Sequence, residues 1–596
     1  MLTPLFVVYL PARVRDDVFP DLLRFGSLVI TSQILSYVSD AETHTPHLKT
    51  WDSWGRRIDH LVTSEGWRRL QELGIREGIV AIAHENAHAE ASRVVQFLKY
   101  HIWTGSSAIV TCPSAMTDGA ARLLSEQLKR LANSNTNEDK VKMGVLQDAL
   151  RRLTSRDTNE AWTSGQWMTE RTGGSDVRET ETLAHLLPLA DEASTVDVNG
   201  NPLGPWRVDG FKWFSSATDA NMTVLLARTS SGLSLFFAPM RRATTSHQQN
   251  VDDSSQSELN GVHIQRLKTK LGTKALPTAE LELQNMRAWL LGEEGKGTKE
   301  ISTVLNITRI HTALSSVGLW GRGLAISRSF AKVRRSSGKL LKDIPSHVAT
   351  MANEHIDYRA NMHLAFFTVA LLGLSEQNQD ARSAAPALKS VPEPMQKSSE
   401  LLLRLLTPIV KAITAKASIK GLQECMESLG GVGYLDQEDM STNIARLYRD
   451  ANVLAIWEGT TNVLGADVVR VVKGRTGPAI LKTLEDWILA CCQSWETLWK
   501  AEASRLTQNL SSVLQVISRK DGDELNYGGR SLMDRIAWIV CGVLLVEDAR
   551  MDKDDISTEI AQRWVGCNTP AAWNDIALWD RRIVFGKEAD DGAAKL

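Results

Sequence analysis

The sequence predicts an α+β protein whose helical and sheet segments are segregated along the chain. An N-terminal helical domain covers residues 1–160, a middle antiparallel β domain residues 161–290, a C-terminal helical bundle residues 291–475, and an additional helical region with a C-terminal tail residues 476–596. Three observations carry this reading. Apolar residues recur at mixed three- and four-residue spacing in the first segment. Short runs of β-branched and aromatic residues fill the second. The helical period then returns at about residue 296. Runs of one element type followed by runs of another build separate layers, whereas an α/β fold alternates them.

Each segment can be justified in order. WRRLQELGIREGIVAIAHENAHAEASRVVQFLKYHIW and ARLLSEQLKRLANS carry the helical spacing of the first domain. PWRVDGFKWFSSATDANMTVLLARTSSGLSLFFAPM, GVHIQRLKTK and TAELELQ are strand-like runs cut by Gly, Asp, Asn and Ser. SHQQNVDDSSQSELNG, residues 246 to 261, has no apolar period and reads as a surface loop. TKEISTVLNITRIHTALSSVGLWGRGLAISRSFAKVRR is one long amphipathic pattern. LLLRLLTPIVKAITAKASIKGLQECMESLGG is another, stopped by its glycines. Residues 376 to 398 connect the two, and residues 476 to 590 continue as helix.

Bulk properties narrow the function classes. The chain has 596 residues, 43% of them hydrophobic and 23% charged, with a formal net charge of −2, so no global basic field calls for nucleic acid or an anionic membrane. No stretch approaches 18 uncharged apolar residues, and no membrane span is expected. MLTPLFVVYLPARVRDDVF lacks a basic n-region and an A-x-A site and reads as mature chain. None of the six cysteines forms C-x-x-C, and no His/Cys grouping has zinc spacing; no metal is expected. The last three residues, Ala594, Lys595 and Leu596, are close to the S-K-L address, so the expected location is the peroxisome, and otherwise the cytoplasm.

Five stretches bear on chemistry. In ARLYRDANVLAIWEGTTNVLGADVVR, Glu458 stands between Trp457 and Gly459, just after an apolar run. Either it is an acid placed for a helix N-terminus formed by Thr460, Thr461 and Asn462, or it is a working carboxylate. GQWMTERTGGSDVRET supplies Thr169, Ser175 and the pair Gly173–Gly174. It is a plain turn, or a place where backbone N–H groups and hydroxyls meet a heterocycle or phosphate. GFKWFSSA supplies Trp213 and Ser215, which are core or an aromatic wall with polar contacts. ESLGGVGYLDQ has Gly430, Gly431 and Gly433 after a helix rather than a strand, which does not support a Rossmann fingerprint. FAKVRRSSGKLL offers Arg334, Arg335, Ser336 and Ser337, either as a solvated basic face or for a pyrophosphate.

In this order and spacing, WMTERTGGSDV, KWFSS, RLKTKLG, AWLLGEEGKG, the LGGVGY segment headed by Glu427 and RLYRDANVLAIWEGTTNV resemble the acyl-CoA dehydrogenase family of flavoproteins, in its AidB-like branch. HLKTWDSWGRRIDHL resembles the same branch. The resemblance runs from about residue 45 to about 474 and implies the acyl-CoA dehydrogenase-like fold: helical domain, β domain, helical bundle.

The resemblance further implies FAD as cofactor, an acyl-CoA substrate and a homotetramer. It implies that Met168 and Thr169 face the flavin, that Ser175 lies near substrate or pyrophosphate, and that Trp213 and Ser215 lie against the ring. Arg334 and Ser336 would reach the diphosphate of a partner subunit's FAD, Gly430 and Gly431 the adenosine half, and Thr460 and Asn462 the cofactor beyond the catalytic position. Arg309 would serve the substrate, and Glu458 would be the general base that removes the α-proton. Ser337 stands where many members have Phe, and Glu427 where many have Gln. The implied activity is α,β-dehydrogenation with an electron-transfer flavoprotein as acceptor. The alternatives are an oxidase-like enzyme using O2 and a DNA-associated flavoprotein. Residues 471 to 596 hold 16 Lys/Arg against 19 Asp/Glu, which disfavours nucleic acid as a partner.

Overall fold

The computed structural model describes residues 3–134, 136–188, 195–244, 257–377, 383–436, 439–566 and 573–586. Most of the polar insertion (246–256), part of the 376–398 connection (378–382), Cys567 and the terminal Ala594-Lys595-Leu596 lie outside the described residues. The chain forms two compact units, Ser32–His84 with Ser107–Thr308, and Met1–Thr31 with Glu85–Ser106 and Arg309–Leu596. Segments of the N-terminal helical region fall in both units.

The first unit is built on a seven-stranded sheet. Strand Met222–Thr229 shows why it holds together. Its run MTVLLART is buried almost throughout, so both faces must be covered. Met222, Val224 and Leu226 join Leu124, Leu146 and Phe237 in one core, while Leu225 and Ala227 join Trp206, Phe236 and Leu281 in another. The expected antiparallel sheet is mixed. Met222–Thr229 is antiparallel to Gly232–Pro239 but parallel to Ser164–Trp167. The mainly helical N-terminal region also contains a hairpin, His47–Trp51 with Arg57–Val62, which its helical spacing does not announce. Asp52 makes its turn, accepting backbone N–H bonds from Trp54 (2.8 Å) and Arg56 (2.9 Å). The hairpin is tied to the sheet edge by Asp59, whose carboxylate accepts the Ile264 N–H at 3.1 Å.

The second unit is helical. Helix Pro345–Ser375 is its axis, with nearly every residue from Ala360 to Leu374 buried. Helix Met395–Ser428 packs against it, and glycine permits close approach elsewhere along that helix: a Cβ on Gly421 would stand 2.1 Å from the buried Trp320 indole. The additional region is not a separate layer. Trp487 of helix Gly477–Ser494 stacks on Phe367, centroids 4.6 Å apart. Asp548 of helix Gly529–Asp552 takes a 2.6 Å ion pair from Arg359. Helix Thr3–Tyr9 joins the same core, with the Tyr9 hydroxyl donating to the His363 carbonyl at 2.9 Å.

Candidate active site

In the sheet unit, Met168, Thr169 and Glu170 follow strand Ser164–Trp167, and Lys212, Trp213 and Ser215 lie on strand Trp206–Ser216. The Trp213 N–H donates to the Thr169 carbonyl at 2.9 Å, so these two expected residues are brought together. Behind them is a buried ion pair. Lys212 Nζ stands 2.7 Å from Glu170 Oε1 and donates to the Leu226 carbonyl at 2.8 Å. Glu170 also accepts from Glu181 N–H (2.6 Å) and from the Thr182 hydroxyl (2.6 Å). Burial alone would raise the Glu170 carboxyl; the Lys212 charge and these bonds outweigh it and hold it below the usual range. Gly174 lies against Thr169, a Cβ there coming to 3.0 Å of its methyl, and Ser175 beyond it is exposed.

The K-W-F-S-S run offers two aromatic–hydroxyl pairs one residue apart, and only strand register separates them. Ser215 is fully buried, its hydroxyl closed off without a partner. Phe214 is 50% exposed, and Ser216 is partly exposed, sharing a 3.1 Å bond with Thr278 Oγ1. Trp213 is partly buried with Lys268 Nζ 3.3 Å above its ring. Any ligand-facing hydroxyl of this strand is therefore that of Ser216, and Phe214 offers the open ring.

In the helical unit, helix Ile444–Leu454 is N-capped by Asn443, whose side chain accepts the Arg446 N–H at 2.8 Å. The chain leaves it through Glu458 (φ 56) and Gly459 (φ 100), two consecutive left-handed residues, and enters helix Thr461–Lys473. A glutamate in that conformation costs roughly 1–2 kcal/mol, so something must hold it there. Two cations do. Arg309 Nε donates to the Glu458 carbonyl at 3.2 Å, and Lys411 Nζ donates to the Gly459 carbonyl. Arg309 is fixed in turn by Asp467 at 3.2 Å, which also pairs with Arg404 (2.7 Å) and Arg470 (2.6 Å). Burial would push the Asp467 carboxyl up; the bond and charge of Arg404, then Arg470 and Arg309, hold it at about 2. The position before the helix is Thr460, not Glu458, and the Thr460 side chain makes no capping bond. Glu458 stands two residues before this N-cap position, near the helix N-terminus. Asn462 is engaged, its Oδ1 accepting from Arg530 Nε at 2.6 Å.

The remaining expected residues lie on the surface of this unit. Arg334 and Ser336 do not sit on a helix face. Helix Gly297–Ala331 has ended, and a tiny hairpin, Arg335–Ser336 with Lys339–Leu340, turns at Ser337 (φ 51) and Gly338 (φ 79). The turn explains why a small residue at 337 is tolerated. Gly430 and Gly431 are exposed, with nothing within 4 Å of an added Cβ, and Val432, Tyr434 and Leu435 beside them are 41%, 80% and 50% exposed. Lys411, Asp467, Glu170 and Lys212 were not singled out from sequence. The lone cation in the apolar run TPIVKAIT was the available signal for Lys411.

Three family descriptions match this chain in order: the adaptive response protein AidB N-terminal domain over residues 11–139, the acyl-CoA dehydrogenase middle domain over 165–286 and the acyl-CoA dehydrogenase C-terminal domain over 295–473. The chain belongs to the acyl-CoA dehydrogenase family. Its N-terminal match lies with the AidB-like branch. It is 35% identical to acyl-CoA dehydrogenase family member 11 of Caenorhabditis elegans, covering 97% of this chain and 89% of that one. It is 27% identical to the AidB protein of Escherichia coli (strain K12), over 91% and 86% of the two chains. The solved structure of Caenorhabditis elegans ACDH-11 in complex with C11-CoA superposes with a TM-score of 0.79 at 32% identity, covering 98% of this chain and 93% of that one.

The residues present fit FAD. In the helical unit the open glycine pair with its exposed Tyr434 and Leu435 suits a flat apolar-edged group, and the Thr460 hydroxyl makes no capping bond; in the sheet unit, taken by itself, Phe214 and Ser216 present a ring and a hydroxyl.

Proposed function

We propose that this chain is an FAD-dependent acyl-CoA dehydrogenase that removes the α-proton of an acyl thioester with Glu458. The observation that carries the reading is the held turn at Glu458: a carboxylate on strained backbone, directly before a helix N-terminus, with the backbone carbonyls of Glu458 and Gly459 bound by Arg309 and Lys411. Strain is retained where its geometry is used. A base held this way meets the α-carbon without first reorganising. FAD, when bound, supplies the acceptor for the β-hydride. Met168, Thr169 and the Trp213–Ser216 stretch would hold its ring end, Ser175 would lie near substrate or the FAD pyrophosphate, Gly430 and Gly431 would meet the adenosine half, Thr460 and Asn462 would contribute beyond Glu458, and Arg334 and Ser336 would reach the diphosphate of a partner subunit's FAD. Arg309, already bound to the turn, orients the substrate side.

The electron acceptor belongs to the same proposal. We favour an electron-transfer flavoprotein over oxygen, and hydrogen peroxide release on admission of air would reverse that preference. The exposed Val432, Tyr434 and Leu435 around the glycine pair support a homotetramer that covers them, which sedimentation tests.

The deciding experiment is anaerobic. The yellow holoprotein is mixed with an acyl-CoA panel beginning near the C11 chain carried by the Caenorhabditis elegans structure. Bleaching of the flavin band is expected, and loss of bleaching by about 10³-fold or more in Glu458→Gln. A fully active Glu458→Gln protein would remove the base assignment.

A further inference from the structure

Behind the Glu458 turn lies a charge that packing does not require. Lys411, in the middle of helix Met395–Ser428, is 0% exposed and flanked by the buried Ile409, Val410 and Ala412. A lysine is almost never fully buried without a specific partner, because removing its ammonium from water is expensive. An unbranched apolar side chain would fill the same space. Its Nζ is spent on one acceptor, the Gly459 carbonyl, and lies close enough to the Glu458 carboxylate to interact with its charge. Burial pushes the ammonium down to about 7, the Glu458 carboxylate opposing that fall and Arg309 adding to it.

The other charged groups around it are settled. Arg309 reaches in from helix Gly297–Ala331, Arg404 lies on the same helix as Lys411, and Asp467 and Arg470 come from helix Thr461–Lys473. Asp467 stays ionised under its three arginines and offsets them. Lys411 is therefore the cation of this cluster whose protonation changes near neutrality, and it faces the turn that carries the base.

We infer that Lys411 is a positioning residue for proton abstraction: it anchors the Gly459 carbonyl, which fixes the left-handed Glu458–Gly459 turn, and it sets a positive charge beside the Glu458 carboxylate. The inference rests on Glu458 being the base. The anchor and the charge separate chemically. Methionine fills the space and supplies neither. Arginine restores both a donor and a fixed charge.

The test compares wild type, Lys411→Met, Lys411→Arg and Glu458→Gln as holoenzymes with one bleaching acyl-CoA, recording kcat and KM across pH 5.5–9.5. Lys411→Met is expected to lose about tenfold or more in kcat with KM changed less than about twofold, and to move the acid limb of kcat up by about one pH unit, the shift a nearby opposite charge makes. Lys411→Arg should hold the acid limb at the wild-type position. A second readout needs no turnover. Amide hydrogen exchange of residues 457–461 in the resting holoprotein should quicken about tenfold in Lys411→Met and not in Lys411→Arg. An acid limb unmoved in Lys411→Met overturns the inference whatever the rate, and so does unchanged exchange at the turn. If Glu458→Gln is inactive while Lys411→Met behaves as wild type, Lys411 alone is dismissed. If Glu458→Gln is active, the reading of the base falls and this inference with it.

Discussion

The buried pair Lys212–Glu170 makes a sharp prediction, because it joins the two segments expected to meet the flavin. Lys212→Met removes one charge and two contacts, 2.7 Å to Glu170 and 2.8 Å to the Leu226 carbonyl. Glu170 is left 4% exposed, still accepting from Glu181 and Thr182 but without its counter-charge. Breaking a buried pair from one side costs about 3–5 kcal/mol, and the orphaned Leu226 carbonyl, in the middle of a fully covered strand, accounts for part of that. A chain of two compact units is not a two-state system, so the assay must be local. Amide exchange over residues 169–176 and 224–227 should accelerate by about 10²–10³-fold, since each 1.4 kcal/mol is about tenfold. Adding Glu170→Gln to Lys212→Met removes the stranded charge and should recover at least about 1 kcal/mol. Flavin content per chain should fall in Lys212→Met, because Thr169 and Trp213 are the immediate neighbours of the pair. A Lys212→Met protein with wild-type exchange and full flavin content would refute the idea that this pair fastens the two segments.

Two further predictions concern the helical unit. Gly421→Ala drives a methyl to 2.1 Å from the Trp320 indole, which is 1% exposed and has nowhere to go; a loss of about 1–3 kcal/mol is expected, read as a lower melting temperature. Glu354, on helix Pro345–Ser375, has its carboxyl pushed up to about 7 by burial first and by Asp357 second. Its native form therefore binds a proton that the unfolded chain releases above about 4.5, so its contribution to stability is complete at low pH and lost as pH rises through 7. Glu354→Gln should be more stable than wild type by about 1–2 kcal/mol at pH 8, discounted for partial solvent screening, and indistinguishable from it at pH 4. Equal melting shifts at both pH values would contradict this.

The fold class was legible because the element types come in long unmixed runs, and Glu458 was singled out because WEGTTN is a local pattern in a known order of motifs. What escaped was set by long-range pairing. Strand Ser164–Trp167 finds its parallel partner at Met222–Thr229, a pairing that no local period announces. HLKTW and RIDHLV were not singled out as strands because runs of five and six residues are short beside the helical spacing around them; the Asp52 turn was the clue. Trp213 and Ser215 were indistinguishable in sequence from Phe214 and Ser216, since a one-residue slip exchanges the faces of a strand. Lys411 hid for a related reason. A lysine in a long helix reads as surface until the packing shows it buried.

The core shared by Tyr9, Phe367, Trp487 and Asp548 joins the first helix of the chain to the bundle and to the last helices. It bears on synthesis. On a ribosome the Glu458 turn emerges well before residues 476–586, yet the helix that backs it, Met395–Ser428, packs on an axis whose other flank is still bare. At about 5–20 residues per second, the interval is on the order of ten seconds, during which the apolar flank of Pro345–Ser375 is open to chaperones or to another nascent chain. A stop codon after residue 475 would leave that flank permanently uncovered, so truncation should yield aggregation rather than a smaller enzyme.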